Sequence, residues 1–426
     1  MPGLPLQAQS ALGLLAMAAL AWALGGFARP IPWRVVVAGL AAQVALGALL
    51  LWVPPVRAAF GLVGDAVGAL ATATRAGTSL VFGHLGGGPL PYAETAPGAS
   101  FVLFFSALPL VLVVGALSAL LYHWRVLPLL VRGASALLRR AFGVSGACGV
   151  AVGANVFVGM VEAPLLVRAW LARLSTPELF AVMAAGLATI SGNTLVVYAT
   201  LLAPVVPDAA GQLLAASLVS APAAVLVALL MRPPPRPGDA PAAAAATGAE
   251  EEPEAAPPLY DSAMDAVVRG TQDGLNLMLA IMAFLVVFVA LAALVDLALA
   301  PLTGLTLRQI AGWLLWPLAV AMGVPTDQAG AVAASLGTRL VVNEFVAYLD
   351  LATGGGPGLD ARSRLILAWA LCGFANLGSV GIMVGGMSAM CPGRRAEIVR
   401  LGLPALAAGT LACCMTGAVV GMLTPP

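Results

Sequence analysis

Long apolar runs, punctuated by short polar segments, set the pattern of this chain. A helix needs about 20 mostly apolar residues to cross a bilayer. The runs at 11–28, 35–53, 101–122, 179–203, 211–231, 276–300, 363–390 and 398–423 predict eight crossings. Residues 54–82 and 124–143 are less continuously apolar and carry scattered charge, so they are expected to be helices lying in the interface. Residues 233–259 combine Pro-Pro-Pro-Arg-Pro-Gly, an alanine run and Glu250-Glu251-Glu252, and read as a disordered cytoplasmic linker. Two further apolar stretches, 146–174 and about 309–352, are broken by glycine and proline, and each holds a glutamate. Non-helical backbone survives at membrane depth only where protein or a water-filled cavity satisfies it, so both are expected to be re-entrant hairpins.

Each glutamate-bearing hairpin is followed by a run with a matching interruption. Gly186-Leu187-Ala188-Thr189-Ile190-Ser191-Gly192 follows the first, and Gly373-Phe374-Ala375-Asn376-Leu377-Gly378-Ser379 follows the second. The two copies divide the chain. Residues 1–145 are N-terminal spans and interfacial helices, 146–232 the first repeat, 233–259 the linker, 260–305 an interfacial helix and a span, and 306–426 the second repeat. Interrupted hydrophobic segments in corresponding halves point to a binding site near the membrane midplane.

Charge sets the expected orientation. Only 9% of the residues are charged, against roughly 25% in an ordinary soluble domain, which excludes a soluble globular protein. All 20 basic residues are arginine, and with 19 acids the net charge is +1, so no basic field favours nucleic acid. Nothing positive precedes the first run, whereas Arg29 and Arg34 follow it, so it reads as a retained span with its N-terminus outside. Arg125, Arg132, Arg139, Arg140, Arg168, Arg173, Arg232, Arg236, Arg394, Arg395 and Arg400 then all fall on the cytoplasmic side. An even number of crossings leaves the C-terminus outside as well. The first hairpin then enters from the cytoplasm and the second from outside, an inverted repeat.

Candidate chemistry is sparse. Five cysteines form no Cys-x-x-Cys pair, and two histidines, His84 and His123, make a histidine-rich metal or haem site a poor fit. The two hairpin carboxylates, Glu162 and Glu344, are the central feature, because a charge at membrane depth is costly and by default functional. The competing structural account pairs Glu162 with Arg168 and Glu344 with Arg339.

At these residues the chain resembles the concentrative nucleoside transporters. The resemblance runs from about residue 80 to 423. It is carried by Arg125-Val126-Leu127-Pro128, by Asn155-Val156-Phe157-Val158-Gly159 through Glu162-Ala163-Pro164-Leu165, by Glu178-Leu179-Phe180-Ala181-Val182-Met183, by Asn343-Glu344-Phe345-Val346-Ala347 and by Gly373-Phe374-Ala375-Asn376. It implies an all-α polytopic membrane protein of the cytoplasmic (inner) membrane, with eight transmembrane helices and two re-entrant hairpins. It further implies a homotrimer working by an elevator movement, with no cofactor and no enzymatic activity.

The resemblance assigns ribose binding to Glu344, Asn376 and Ser379, with Phe374 lining the site. A carboxylate accepts from two neighbouring hydroxyls at once, and charge-assisted bonds are the stronger kind. Asn376 adds a donor and an acceptor. The family's first hairpin normally reads Gly-Gln-Thr-Glu, with its Gln and Thr addressing the base. Here it reads Gly159-Met160-Val161-Glu162, so two hydrogen-bonding positions are apolar while the glutamate stays. The usual base preference is therefore not carried over. Either packing holds the base and selectivity broadens, or the substrate is a modified nucleoside or another ribose-like solute. Asn193 and Thr194 offer replacement polarity. The family's sodium site maps onto Asn155, Val158, Thr189 and Ile190, an oxygen-only set suited to a hard cation. Sodium is thus the expected coupling ion, with the proton as the alternative.

Two other classes compete. A membrane hydrolase using Glu162 and Glu344 as an acid–base pair is chemically conceivable, but the chain holds no His-Glu-x-x-His and no nucleophile elbow. A channel that kept the fold would only equilibrate its solute, whereas a symporter accumulates it.

Overall fold

The computed structural model describes residues 5–28, 31–94, 100–168, 170–234, 260–353 and 358–425. From residue 235 onward the expected linker lies outside the described residues. Among those described, the secondary structure is entirely helical. The first group is α1 (Leu6–Leu24), α2 (Trp33–Trp52), α3 (Pro54–Phe82), the short α4 (Leu103–Ser106), α5 (Leu110–His123) and α6 (Val126–Phe142). Next come α7 (Gly146–Asn155), α8 (Glu162–Leu165), α9 (Thr176–Ala188), α10 (Gly192–Leu202) and α11 (Ala209–Met231). The 41-residue α12 (Ala263–Thr303) leads to α13 (Leu307–Ala321), α14 (Thr326–Val341), α15 (Glu344–Ala352), α16 (Ala361–Ala370), α17 (Leu377–Met390) and α18 (Arg395–Leu423).

The order after each glutamate is the same. Hairpin α7–α8 leads into α9, a break, α10 and α11, while hairpin α14–α15 leads into α16, a break, α17 and α18. Local chemistry places both breaks. A capping box between Ser175 and Glu178 starts α9, and the helix stops where Thr189 turns to extended backbone (φ −117°, ψ 165°). Ser191 then caps α10 by accepting from the Thr194 N–H. Asp360 caps α16, and Asn376 restarts the chain by capping α17.

The interruption expected within the run 363–390 is present: residues 371–376 unwind between α16 and α17. Two segments differ in extent from the hydropathy pattern. The stretch 309–352 holds three: α13 packs along α14, and only α14 and α15 flank the Glu344 tip. Gly323 (φ +86°) and Pro325 turn the chain between α13 and α14. The expected interfacial helix and span within 260–305 are one continuous α12, capped by Ser262 and holding no proline before Pro301. The helix Pro54–Gly86 is long and apolar enough to cross a membrane by length and composition alone. It also carries Arg57, Asp65 and Arg75, the charge that motivates an interfacial placement.

The core is formed by α9, α10, α11 and α18, most of whose residues are buried. Around it lie α1, α2, α16 and α17. In contrast, α12 rests mainly on α5, where Gly115, Gly270 and Gly274 let the two backbones touch: a Cβ on Gly115 would sit 2.6 Å from the Gly270 carbonyl oxygen. Much of the remaining surface of α12 is apolar and exposed, as at Met264, Val286 and Leu297.

Candidate substrate and ion site

The hairpin tips and the breaks converge on a cavity of about 200 Å³. The first hairpin contributes Val158, Gly159, Met160, Val161 and Glu162, and α10 contributes Asn193, Thr194 and Tyr198. Opposite them stand Asn343, Glu344 and Phe345 from the second tip, and Phe374, Asn376 and Ser379 from the second break. All eight residues expected at the substrate thus line one cavity. Two larger cavities, about 720 and 660 Å³, run along α3. Neither contains a hairpin glutamate, and the smaller chamber is the one in which the polar groups converge.

Glu344 is 5% exposed, and each of its carboxylate oxygens has one partner. One carboxylate oxygen accepts from the Tyr198 hydroxyl (2.8 Å) and the other from the Asn376 amide (2.7 Å). The Asn376 Oδ1 accepts from the Ser379 N–H at 2.7 Å, so one side chain both caps α17 and clamps the carboxylate. The first carboxylate is held differently. Gly159 adopts φ +148°, and a Cβ there would collide with Glu162 Oε2, so the tip must be glycine for the carboxylate to fold back over it. Glu162 stays open to the cavity. Among the described residues, no ion pair joins Glu162 to Arg168 or Glu344 to Arg339. Arg339 is fully buried and donates instead to the Ala370 carbonyl at the end of α16.

Met160 and Val161 occupy clefts left by glycines. A Cβ on Gly186 would meet the Met160 Cβ at 3.0 Å, and one on Gly386 would meet Val161 Cγ1 at 2.9 Å. Thr194 turns back on Ser191, its hydroxyl 3.0 Å from both the Ser191 hydroxyl and its carbonyl. Asn193 accepts from the Ser118 hydroxyl at 3.0 Å, tying α10 to α5.

Of the four residues expected at sodium, Val158 lines the cavity, while Asn155, Thr189 and Ile190 lie behind it, each no more than 1% exposed. The Thr189 hydroxyl is 3.1 Å from the Asn155 carbonyl oxygen and 2.9 Å from that of Ala185. Both polar atoms of the Asn155 amide are buried without a hydrogen-bond partner. An orphaned amide in a close-packed interior is costly, and an amide oxygen on a residue whose main-chain carbonyl already meets the Thr189 hydroxyl suits a hard cation.

Two features had not been expected from the sequence. Tyr198 stands four residues after Thr194, on the same face of α10, a spacing that could have flagged it. Leu277, Ile281, Phe284 and Phe288, spaced by four, three and four, form an apolar wall from α12.

Comparison with known proteins identifies the family. A family model for the Na+ dependent nucleoside transporter C-terminus matches residues 212–421, and its N-terminal counterpart matches 12–85. A nucleoside recognition (Gate) model matches 104–205. The nucleoside permease NupC of Helicobacter pylori is 32% identical, with 97% of each chain covered. An uncharacterized transporter of Haemophilus influenzae is 34% identical over 97% of each. Human solute carrier family 28 member 3 is 31% identical across 97% of this chain and 59% of its own. The structure of CNTnw in an inward-facing, substrate-bound state superposes with a TM-score of 0.86 at 34% identity, over 98% of both chains. An outward-facing variant of CNTnw gives 0.84 at 33% identity, again over 98% of each chain. This chain belongs to the concentrative, Na+-dependent nucleoside transporter family.

Proposed function

We propose that the protein is a secondary active symporter that imports nucleosides, or nucleoside-like ribose-containing solutes, on a sodium gradient. Membership of a transporter family removes the hydrolase reading. The observation that carries the proposal is the Glu344 carboxylate, clamped by Tyr198 and Asn376 in the wall of a cavity it shares with Glu162. An ionised carboxylate has about four acceptor sites. Two are occupied here, which leaves capacity for a pair of adjacent ribose hydroxyls. Ser379 completes this polar end, and Phe374 and the α12 wall give the ring system apolar faces.

The base end is built from Met160 and Val161, with Glu162 and Thr194 as its polar groups. An apolar surface discriminates weakly between bases that differ in hydrogen-bonding groups, so broadened selectivity follows. Asn155 Oδ1, the Thr189 hydroxyl and the main-chain oxygens of Val158 and Ile190 form the sodium site. The cation enters as a co-transported substrate.

The larger architecture belongs to the same proposal. The element order repeated after each glutamate supports two re-entrant hairpins in an inverted repeat. The exposed apolar face of α12 supports burial against lipid or the other copies of a homotrimer. CNTnw has been solved in inward-facing, outward-facing and intermediate states, which supports an elevator movement here. Both termini are placed outside the cytoplasmic membrane.

The test is uptake into proteoliposomes of labelled uridine, cytidine, adenosine, guanosine and ribose, each under an inward sodium gradient, a proton gradient or neither. Sodium-driven accumulation of several nucleosides is expected. Accumulation on the proton gradient alone overturns the ion assignment. Equilibration without accumulation makes the protein a channel, and no nucleoside uptake from folded protein overturns the cargo.

A further inference from the structure

The proposed ion site sits on the first break and the ribose site on the second, and these two breaks touch. Gly373, the third residue of the second break, lies against the end of α9. A Cβ there would stand 2.8 Å from the Ala188 carbonyl oxygen and 2.5 Å from Cys413 Sγ. Ala188 is the residue before Thr189, and Gly373 is the residue before Phe374. Backbone therefore meets backbone with no side chain between them. Behind the contact runs α18, whose Gly409 and Cys413 are four apart on one face. Gly409 is pressed against Leu187 and Ala188, its absent Cβ 2.8 Å from Leu187 Cβ. The Cys413 thiol is fully buried and faces a carbonyl from each break, Ala188 at 3.6 Å and Cys372 at 3.8 Å.

A helix end leaves its last carbonyls without partners. Here one thiol serves the end of α9 and the start of the second break together. Sub-ångström shifts propagate where packing is at crystal-like density. An ion that draws the Thr189–Ile190 backbone towards Asn155 would move Ala188, and with it the carbonyl packed against Gly373 and Cys413.

We propose that Gly373 and Cys413 are positioning residues through which sodium occupancy at the first break sets the affinity of the second break for ribose. This rests on the sodium-symport reading above. Neither residue contacts the solute or the cation; they hold the two breaks in register. Such a coupling is reciprocal and typically amounts to about 5–150-fold in affinity.

Equilibrium binding of uridine to the purified full-length protein in lipid nanodiscs, in sodium and in choline buffer, tests the proposal. The native chain is expected to bind uridine at least fivefold more tightly in sodium. Cys413→Ala should reduce that factor to a third or less through weaker binding in sodium, while its affinity in choline stays within about twofold of the native value. Cys413→Ser, which restores a donor, should recover at least half the factor. An unchanged factor in Cys413→Ala overturns the coupling role alone. A native chain indifferent to sodium overturns the symport reading and the coupling with it.

Labelling of the native chain covers the case in which the alanine variant does not fold. N-ethylmaleimide modification of Cys413, followed by mass spectrometry with Cys148 and Cys391 as internal references, should slow at least threefold with sodium alone and with saturating uridine alone. A rate that responds to one ligand only, or to neither, rejects the proposal.

Discussion

The two tips that face each other across the cavity are built on opposite principles. At the second, Glu344 is held by Tyr198 and Asn376, and Asn376 is itself fixed as the cap of α17. Each carboxylate oxygen there has a partner before any solute arrives. At the first, the Asn155 amide has none, Glu162 is open to the cavity, and Met160 and Val161 stand where the family pattern has hydrogen-bonding side chains. A finished network is pre-organised and geometrically strict. An unfinished one is completed by its ligand, and its apolar neighbours accept variety. On the function proposed above, the common part of a nucleoside, the sugar, would meet the rigid half, while the ion and the variable base would meet the adaptable half.

The largest effect is expected from breaking the rigid half. Glu344→Gln removes the charge that the Tyr198 and Asn376 donors converge on and that the ribose hydroxyls require. Charge-assisted hydrogen bonds contribute about 1.5–3 kcal/mol each, so loss of two lowers uptake by at least about a hundredfold. Folding should persist, because Gln matches the shape. Near-native uptake by that variant would refute the ribose assignment. On the adaptable half, Asn155→Ala should raise the sodium concentration for half-maximal uptake about tenfold or more. Uridine affinity in saturating sodium should move little, and an unaltered sodium response would remove Asn155 from the ion site.

Tyr198→Phe probes the clamp with a smaller change. Glu344 keeps Asn376 and loses one donor, so KM should rise about tenfold with a smaller change in maximal rate. An unmoved KM would make the Tyr198 contact incidental. Tyr198 also marks where the sequence stops being legible. The glutamates, the breaks and the family pattern are local strings, and all eight substrate candidates read from them line the cavity. The bond from Tyr198 to Glu344 joins residues 146 apart, so no local pattern encodes it. The stripe Leu277, Ile281, Phe284 and Phe288 has visible helical spacing, yet any lipid-facing helix of this composition shows the same. Hydropathy gave the apolar lengths but not their grouping. It could not show that Ser262 starts one helix running to Thr303. The orientation rests on that grouping too, since counting Pro54–Gly86 as a crossing would reverse the side of everything after it.

The first tip can be sharpened towards the second. Met160→Gln with Val161→Thr restores polarity without much change of volume, and Thr matches the shape of Val against Gly386. A neutral hydrogen bond contributes about 0.5–1.5 kcal/mol, so the spread of uptake across the four nucleosides should widen by about three- to tenfold. An unchanged profile would show that these two side chains do not read the base.

The smallest expected effect concerns how the two half-helices begin. The first, α9, starts with the Ser175–Glu178 capping box. The second, α16, starts with Asp360, whose carboxylate accepts from the Ser363 N–H at 2.6 Å and from Gln328 Nε2 at 3.1 Å. Burial alone would raise the Asp360 carboxyl, but the bonds from Ser363 and Gln328 outweigh it and hold it below its usual range. Because the folded value is the depressed one, its stabilisation is complete above the unfolded value of about 3.9 and fades as pH falls through the folded value. Asp360→Ala should therefore cost about 1 kcal/mol of stability at neutral pH, and less in acid, while sodium-driven uptake stays within about twofold. Asp360→Asn keeps the cap and should lose little at neutral pH, but its stability should no longer fall with the titration of this group. Thermal unfolding of the three proteins between pH 7 and pH 3 checks this. If the alanine variant matches the native protein at pH 7, the second half-helix is held by its packing against α18 and not by its cap.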